Sequence, residues 1–210
     1  MNCVHNAGLI PSSDEIAVLG EGVCPVDWAK RCIDLARAEN CGKSVMCRDG
    51  MTQLQAIIND VAAGRGQGED LELLRDIATV ISNSKGCELA AKAAGDLLFS
   101  LEHYADEWEA HCRRKRCSAL VCMYNVYIDP ALCRGCGECI KSAPAGAIAG
   151  GEGLISVVRD DSALRSEAFF AVCPNGAVKK YGLVKPRVPE DPVAIGSFSS
   201  GGGRRSRRRG

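Results

Sequence analysis

Aromatic side chains are scarce in this 210-residue chain, at 5% of the total. A buried core must therefore be built mainly from Leu, Ile, Val and Ala, and a hydrophobic content of 46% is enough for one. No apolar run approaches the ~20 residues of a membrane-spanning helix, so no span is expected. The opening MNCVHNAGLIPSSDE has neither a basic start nor an apolar stretch, which argues against a secretory leader and for a cytoplasmic protein. There is no G-x-G-x-x-G and no P-loop. GRGQG at 64–68 lies between two helical patterns and reads as a connector, not a phosphate cradle. Neither FMN nor NAD is expected on this chain.

Acidic and basic residues balance at 26 each, but unevenly. The last ten residues, GGGRRSRRRG, carry five arginines and no acid, leaving the rest of the chain at −5. RRKR at 113–116 and RRSRRR at 204–209 would attract phosphate without sequence preference. No stacking aromatics interleave with them, so nucleic acid is not the expected partner. The Arg-rich tail suits an acidic partner surface instead.

What the chain has is cysteine, thirteen in all. In a cytoplasmic setting that load points to metal rather than to disulfides. Cys133, Cys136 and Cys139 stand at C-x2-C-x2-C spacing. The bacterial ferredoxin run adds x3-C-P, and its fourth cysteine serves the other cluster of a pair. Here that position is Ala143, with Pro144 retained, and a later Cys173-Pro174 supplies the missing ligand. A second motif ending at Cys173 would need cysteines at 163, 166 and 169, where Ala163, Ser166 and Phe169 stand. The pattern resembles a two-cluster bacterial ferredoxin domain reduced to one 4Fe–4S cluster on Cys133, Cys136, Cys139 and Cys173. Zinc is the competing reading of four thiolates, although zinc sites usually show two separated C-x2-C pairs.

Hydrophobic periodicity gives the organisation. Ala29, Cys32, Ile33 and Ala36 fall on one helical face; so do Leu54, Ile57, Ile58 and Val61, then Leu74, Ile77, Ala78 and Ile81. Residues 88–112 give a fourth helix, with Leu97, Leu101, Tyr104 and Trp108 on one side. From 123 the period shortens to that of strands, at 124–129, 146–149, 154–158 and 177–180. The expected fold is α+β: an extended lead-in over 1–24, with a strand-like run at 16–19, then a small antiparallel four-helix bundle over 25–112. A Cys- and Arg-rich junction at 113–122 leads to a ferredoxin-like doubled β-α-β domain at 123–183. An Arg/Gly-rich tail over 184–210 is expected to be disordered or wrapped on a partner.

A second cysteine set lies in the bundle. Glu39-Asn40-Cys41-Gly42-Lys43-Ser44-Val45-Met46-Cys47-Arg48-Asp49-Gly50 is a loop leading into a helix, and Cys87 opens another helix forty residues on. Helix N-termini favour thiolate, the form that binds iron. Residues 8–111 resemble the C-terminal part of the NADH-oxidising flavoprotein subunit of respiratory complex I, a module that recurs in NAD-linked hydrogenases and formate dehydrogenases. The family signature is E-x-C-G-x-C-x-P-C-R-x-G followed by a distant cysteine, and its loop binds one 4Fe–4S cluster. Cys41, Cys47 and Cys87 match it, whereas Ser44 replaces the middle cysteine and Met46 the proline. Three readings stay open: Ser44 as an alkoxide ligand, a cluster with three protein ligands, or a bundle without its cluster. Cys24 and Cys32 read as small buried core residues.

A third set sits at the junction. His111, Cys117 and Cys122, at H-x5-C-x4-C spacing, are candidate zinc ligands, with Cys112 or a distant residue as the fourth. Free thiols at a linker are the alternative. His103 reads as a surface residue.

No acid/base pair or nucleophile is needed for this chemistry. The expected function is a non-catalytic electron-transfer subunit or adaptor of a multi-subunit oxidoreductase. Catalysis would belong to flavoprotein, hydrogenase or dehydrogenase partners. A redox- or iron-sensing regulator and a structural scaffold are the alternatives.

Overall fold

The structure, a computed structural model, describes residues 22–198; the strand-like run at 16–19 lies outside them. The chain divides into two units, one ending at Tyr124 and the other starting at Asn125. The junction cysteines Cys117 and Cys122 therefore belong to the helical unit.

In the first unit, α1 (Pro25–Ala38) starts where Cys24 is extended and Pro25 takes the first turn, where a missing N–H costs nothing. Pairs Arg31–Asp27 at 2.7 Å and Lys30–Asp34 at 2.6 Å line its outer face. A π-helical turn at Met46–Gly50 runs directly into α2 (Met51–Ala62). Then come α3 (Asp70–Ser82), α4 (Glu88–His103) and α5 (Ala105–Cys112). α1 packs on α2 and α4, and α3 packs on α4. The single helix expected over 88–112 is broken at Tyr104, whose backbone (φ −123°, ψ 35°) leaves the helical region. The break lets Trp108 turn back into the core, where its Nε1–H donates to Ser100 Oγ at 3.1 Å and Ser100 donates to the Pro25 carbonyl at 3.2 Å. Ile33, Met51, Leu54, Ile58, Leu74, Ile81, Leu97 and Leu101 are fully buried around it.

The second unit contains three antiparallel strand pairs. β1 (Asn125–Ile128) pairs with β5 (Val178–Tyr181), in register Asn125↔Tyr181 to Ile128↔Val178. β2 (Ile148–Ala149) pairs with β4 (Val157–Val158). β3 (Leu154–Ile155) pairs with β6 (Val193–Ala194). The strand expected over 154–158 is thus two short strands with different partners, parted at the buried Ser156. The tail is corrected too: β6 holds its first part to this unit through β3, because Val193 and Ala194 supply a short extended edge. Short helix α6 (Glu138–Ser142) carries the third motif cysteine, Cys139, and α7 (Glu167–Ala171) ends just before Cys173.

Candidate metal centres

The tightest donor cluster among the described residues is Cys24, His111, Cys117 and Cys122, whose ligand atoms all lie within 4.8 Å of one another. Cys24 stands just before α1, His111 lies in the last turn of α5, and the two other thiols follow in the next eleven residues. The chain is turned there by left-handed backbone at Lys115 (φ 49°) and Leu120 (φ 53°). Cys24 Sγ is 3.4 Å from His111 Nε2 and 3.5 Å from Cys122 Sγ. Tetrahedral zinc with Zn–S near 2.3 Å and Zn–N near 2.0 Å places its ligands roughly 3.5–3.8 Å apart, so the spacing fits one ion.

The surroundings prepare the ligand atoms. His111 Nδ1 is 2.8 Å from the Glu107 carbonyl. A carbonyl only accepts, so Nδ1 carries a hydrogen, and Nε2 is the ring nitrogen that faces the thiols. Glu107 Oε1 accepts Ser118 N–H at 2.8 Å, tying the cysteine segment to α5, and Val121 N–H points at Cys117 Sγ at 3.3 Å. Hydrogen bonds from Cys122 and Cys24 hold Cys117 far below the ordinary thiol range, and that thiolate pushes Cys122 upward. Burial works against charge on His111, but Cys117 and Cys24 outweigh it and raise the imidazole to about 10. The four donors together could hold a metal ion.

Of the two expected sources of a fourth member, the distant one stands here: it is Cys24, while Cys112 is buried elsewhere in the core, and burial raises its thiol to about 11. Cys24 is accordingly not simply a small core residue, whereas Cys32 is buried in the core. Eighty-seven residues separate Cys24 from His111, so no local spacing pointed to it.

In the second unit, Cys133, Cys136 and Cys173 all act electrostatically on Cys139, so the four ferredoxin-type thiols share one neighbourhood. The loop carrying them needs Gly135. At φ +62°, a Cβ there would stand 2.8 Å from Leu154 N and 2.9 Å from both Gly153 N and Leu154 O. Gly153 N–H donates to the Gly135 carbonyl at 3.2 Å, locking the loop to the turn before β3. Ala177 N–H points at Cys173 Sγ at 3.3 Å, a donor of the kind that stabilises cluster-bound sulfur. Burial raises the Cys139 thiol, while the nearby Ser156 hydroxyl lowers it.

The positions of the absent second motif do other work. Ser166 caps α7, its side chain accepting Phe169 N–H at 3.3 Å, and Phe169 is buried.

The bundle set fits a four-thiolate group only in part. Cys47 and Cys87 are buried and adjacent; burial raises the Cys47 thiol, while the Gly42 and Cys41 N–H groups lower it. Ser44 stands beside them, against Gly86, but its Oγ already accepts Cys47 N–H at 3.1 Å. Cys41 is disulfide-bonded. Two free thiols and an engaged hydroxyl are not a complete cluster cradle.

Residues 27–111 match the NADH-ubiquinone oxidoreductase-F iron-sulfur binding region. The chain is 34% identical over 143 residues to NADP-reducing hydrogenase subunit HndC of Solidesulfovibrio fructosivorans, covering 67% of this chain and 29% of that one. It is 32% identical over 114 residues to an NADH-quinone oxidoreductase subunit of Streptomyces coelicolor, covering 54% and 25%. A shorter likeness, 33% over 70 residues, relates it to NADP(+)-dependent formate dehydrogenase subunit beta of Moorella thermoacetica, covering 33% and 10%. The chain thus spans less than a third of the length of these relatives. The matches support the complex I flavoprotein iron–sulfur region as the kin of the helical unit, and a 4Fe–4S cluster as its kind of cofactor. No helix among the described residues is long and apolar enough to cross a membrane.

Proposed function

We propose that this chain is an electron-transfer iron–sulfur subunit or adaptor of a multi-subunit oxidoreductase, passing single electrons between partner subunits. The observation that carries the reading is the meeting of Cys133, Cys136, Cys139 and Cys173 in one neighbourhood, where the other three thiols act electrostatically on Cys139. A 4Fe–4S cluster held there would take up and release one electron without a bond being made. The chain's own part is to supply four sulfurs, to bring backbone close through Gly135, and to offer Ala177 N–H to Cys173. The partners are a flavoprotein, a hydrogenase or a dehydrogenase subunit, in keeping with the oxidoreductases named among the relatives. Flavin and nicotinamide chemistry belongs to them, and the cytoplasm is where they would meet.

In this reading Cys24, His111, Cys117 and Cys122 hold a structural zinc that closes the end of the helical unit. The bundle set at Cys41, Ser44, Cys47 and Cys87 is the remnant of the second cluster site. Ferredoxin-like describes the second unit, and a four-helix bundle with an added α5 describes the first.

A nucleic-acid regulator fits less well. The RRKR run is partly occupied: Lys115 Nζ donates to the Gly66 carbonyl, and the Arg113 guanidinium lies against Gly68. The tail arginines at 204–209 are left for an acidic partner surface.

Anaerobic purification with iron, sulfide and zinc counts, followed by EPR of the reduced protein, tests the assignment. About four iron, four sulfide and one zinc per chain are expected, with a reversible one-electron signal. Zinc in the Cys133 set, or a cluster that cannot be reduced reversibly, would leave a scaffold rather than a carrier.

A further inference from the structure

Ser156 is 2% exposed, yet its hydroxyl has no formed hydrogen bond. A buried unpaired hydroxyl costs about 1–3 kcal/mol, so its placement calls for an acceptor. Its hydroxyl acts on the Cys139 thiol, lowering it, and a Cβ at Gly150 would touch both Ser156 and Ile140, the residue after Cys139. A protonated thiol accepts poorly; a metal-bound thiolate accepts well.

The fold makes room for this approach. Ser156 sits at the break between β3 and β4, whose partners differ. Gly150 lies opposite, and a Cβ there would stand 2.8 Å from Ser156 Oγ and 3.1 Å from its Cα. The same Cβ would stand 3.0 Å from Ile140 Cδ1, on the helix that carries Cys139. A bare backbone at 150 thus permits the hydroxyl and α6 to come together.

We propose that Ser156 is a positioning residue that donates its hydroxyl hydrogen to the Cys139 sulfur in the metallated site and so makes the cluster easier to reduce. The inference rests on the cluster assignment to Cys133, Cys136, Cys139 and Cys173. One electron from the donor adds negative charge that spreads onto the sulfurs. A donor hydrogen bond stabilises the more negative state more, which raises the reduction potential. No proton moves and no bond is made or broken.

The test uses the full chain, purified anaerobically, as the parent, Ser156→Ala, and the isosteric pair Ser156→Thr and Ser156→Val. Iron and sulfide are counted first, and the potential is then read by EPR-monitored redox titration. Ser156→Ala and Ser156→Val are expected to keep the parent's iron and to titrate at more negative potential, with Ser156→Thr nearer the parent. A parental potential in Ser156→Ala, or equal potentials for Thr and Val, overturns the proposal. Iron loss in all three variants with a loaded parent also overturns it, because the residue is then structural. A parent without iron defeats the cluster assignment itself.

Discussion

Cys24 and His111 are 87 residues apart in the chain, and their Sγ and Nε2 atoms stand 3.4 Å apart. The contact joins the start of α1 to the end of α5, and Cys117 and Cys122 complete the group. Removing Cys24 leaves a charged group buried without its compensating set, at a cost on the order of 3 kcal/mol. For a unit of this size that is roughly a 12–24 °C fall in Tm. Cys24→Ala is therefore expected to lose zinc and melt earlier, while Cys112→Ala keeps its zinc. Metal analysis beside calorimetry checks both; retained zinc in Cys24→Ala contradicts the assignment.

The bundle remnant gives a second expectation. Ser44 Oγ accepts Cys47 N–H, and its Cβ faces the bare Gly86, so a sulfur at 44 has a place beside Cys47 and Cys87. After thiol reduction, Ser44→Cys should raise iron from about four to about eight per chain. Unchanged iron would mean the pocket no longer admits a cluster, leaving a helical unit held by packing and its own metal.

How much of this was legible follows from distance along the chain. The helical faces were local, and Ala29, Ile33, Leu54, Ile58, Leu74 and Ile81 are all buried as their spacing predicts. The nearness of Cys133, Cys136 and Cys139 was legible because their spacing is short-range, and Cys173, expected from its Cys-Pro pair, shares their neighbourhood. Cys24 was not, since only tertiary packing brings α1 to α5. The helix break at Tyr104 also escaped periodicity, because apolar spacing continues through it to Trp108. β6 is two residues long, too short to signal itself, and exists through its pairing with Leu154 and Ile155.

Asp96 carries a pH expectation. It is 6% exposed on α4, and burial raises its carboxyl above the usual range although Lys92 Nζ lies 2.8 Å away. The folded state then holds more protons than the unfolded state between the two pKa values. Stability falls as pH rises through that window and stays lower above it. An i,i+4 pair returns only ~0.3–0.5 kcal/mol, so Asp96→Asn should be at least as stable as the parent at pH 7. Below the folded pKa the advantage should vanish. Denaturant melts at pH 7 and pH 4 measure this; a clearly weaker variant at pH 7 shows the ion pair to outweigh burial.

Gly135 is where the second unit is least tolerant of change. Its φ of +62° is left-handed, and a Cβ would stand within 2.9 Å of three backbone atoms of Gly153 and Leu154. Backbone atoms cannot swing aside as a flexible side chain can, so the loop itself must move. That movement would displace Cys133 and Cys136 relative to Cys139, and it would break the Gly153 N–H to Gly135 carbonyl bond that fixes the turn. Left-handed backbone alone costs a non-glycine residue about 1–2 kcal/mol, and the clash adds to it. Gly135→Ala is expected to fold its helical unit and keep the zinc at Cys24, yet to lose most of its iron. Full iron loading in Gly135→Ala would show that the loop is not the rigid cradle its contacts describe.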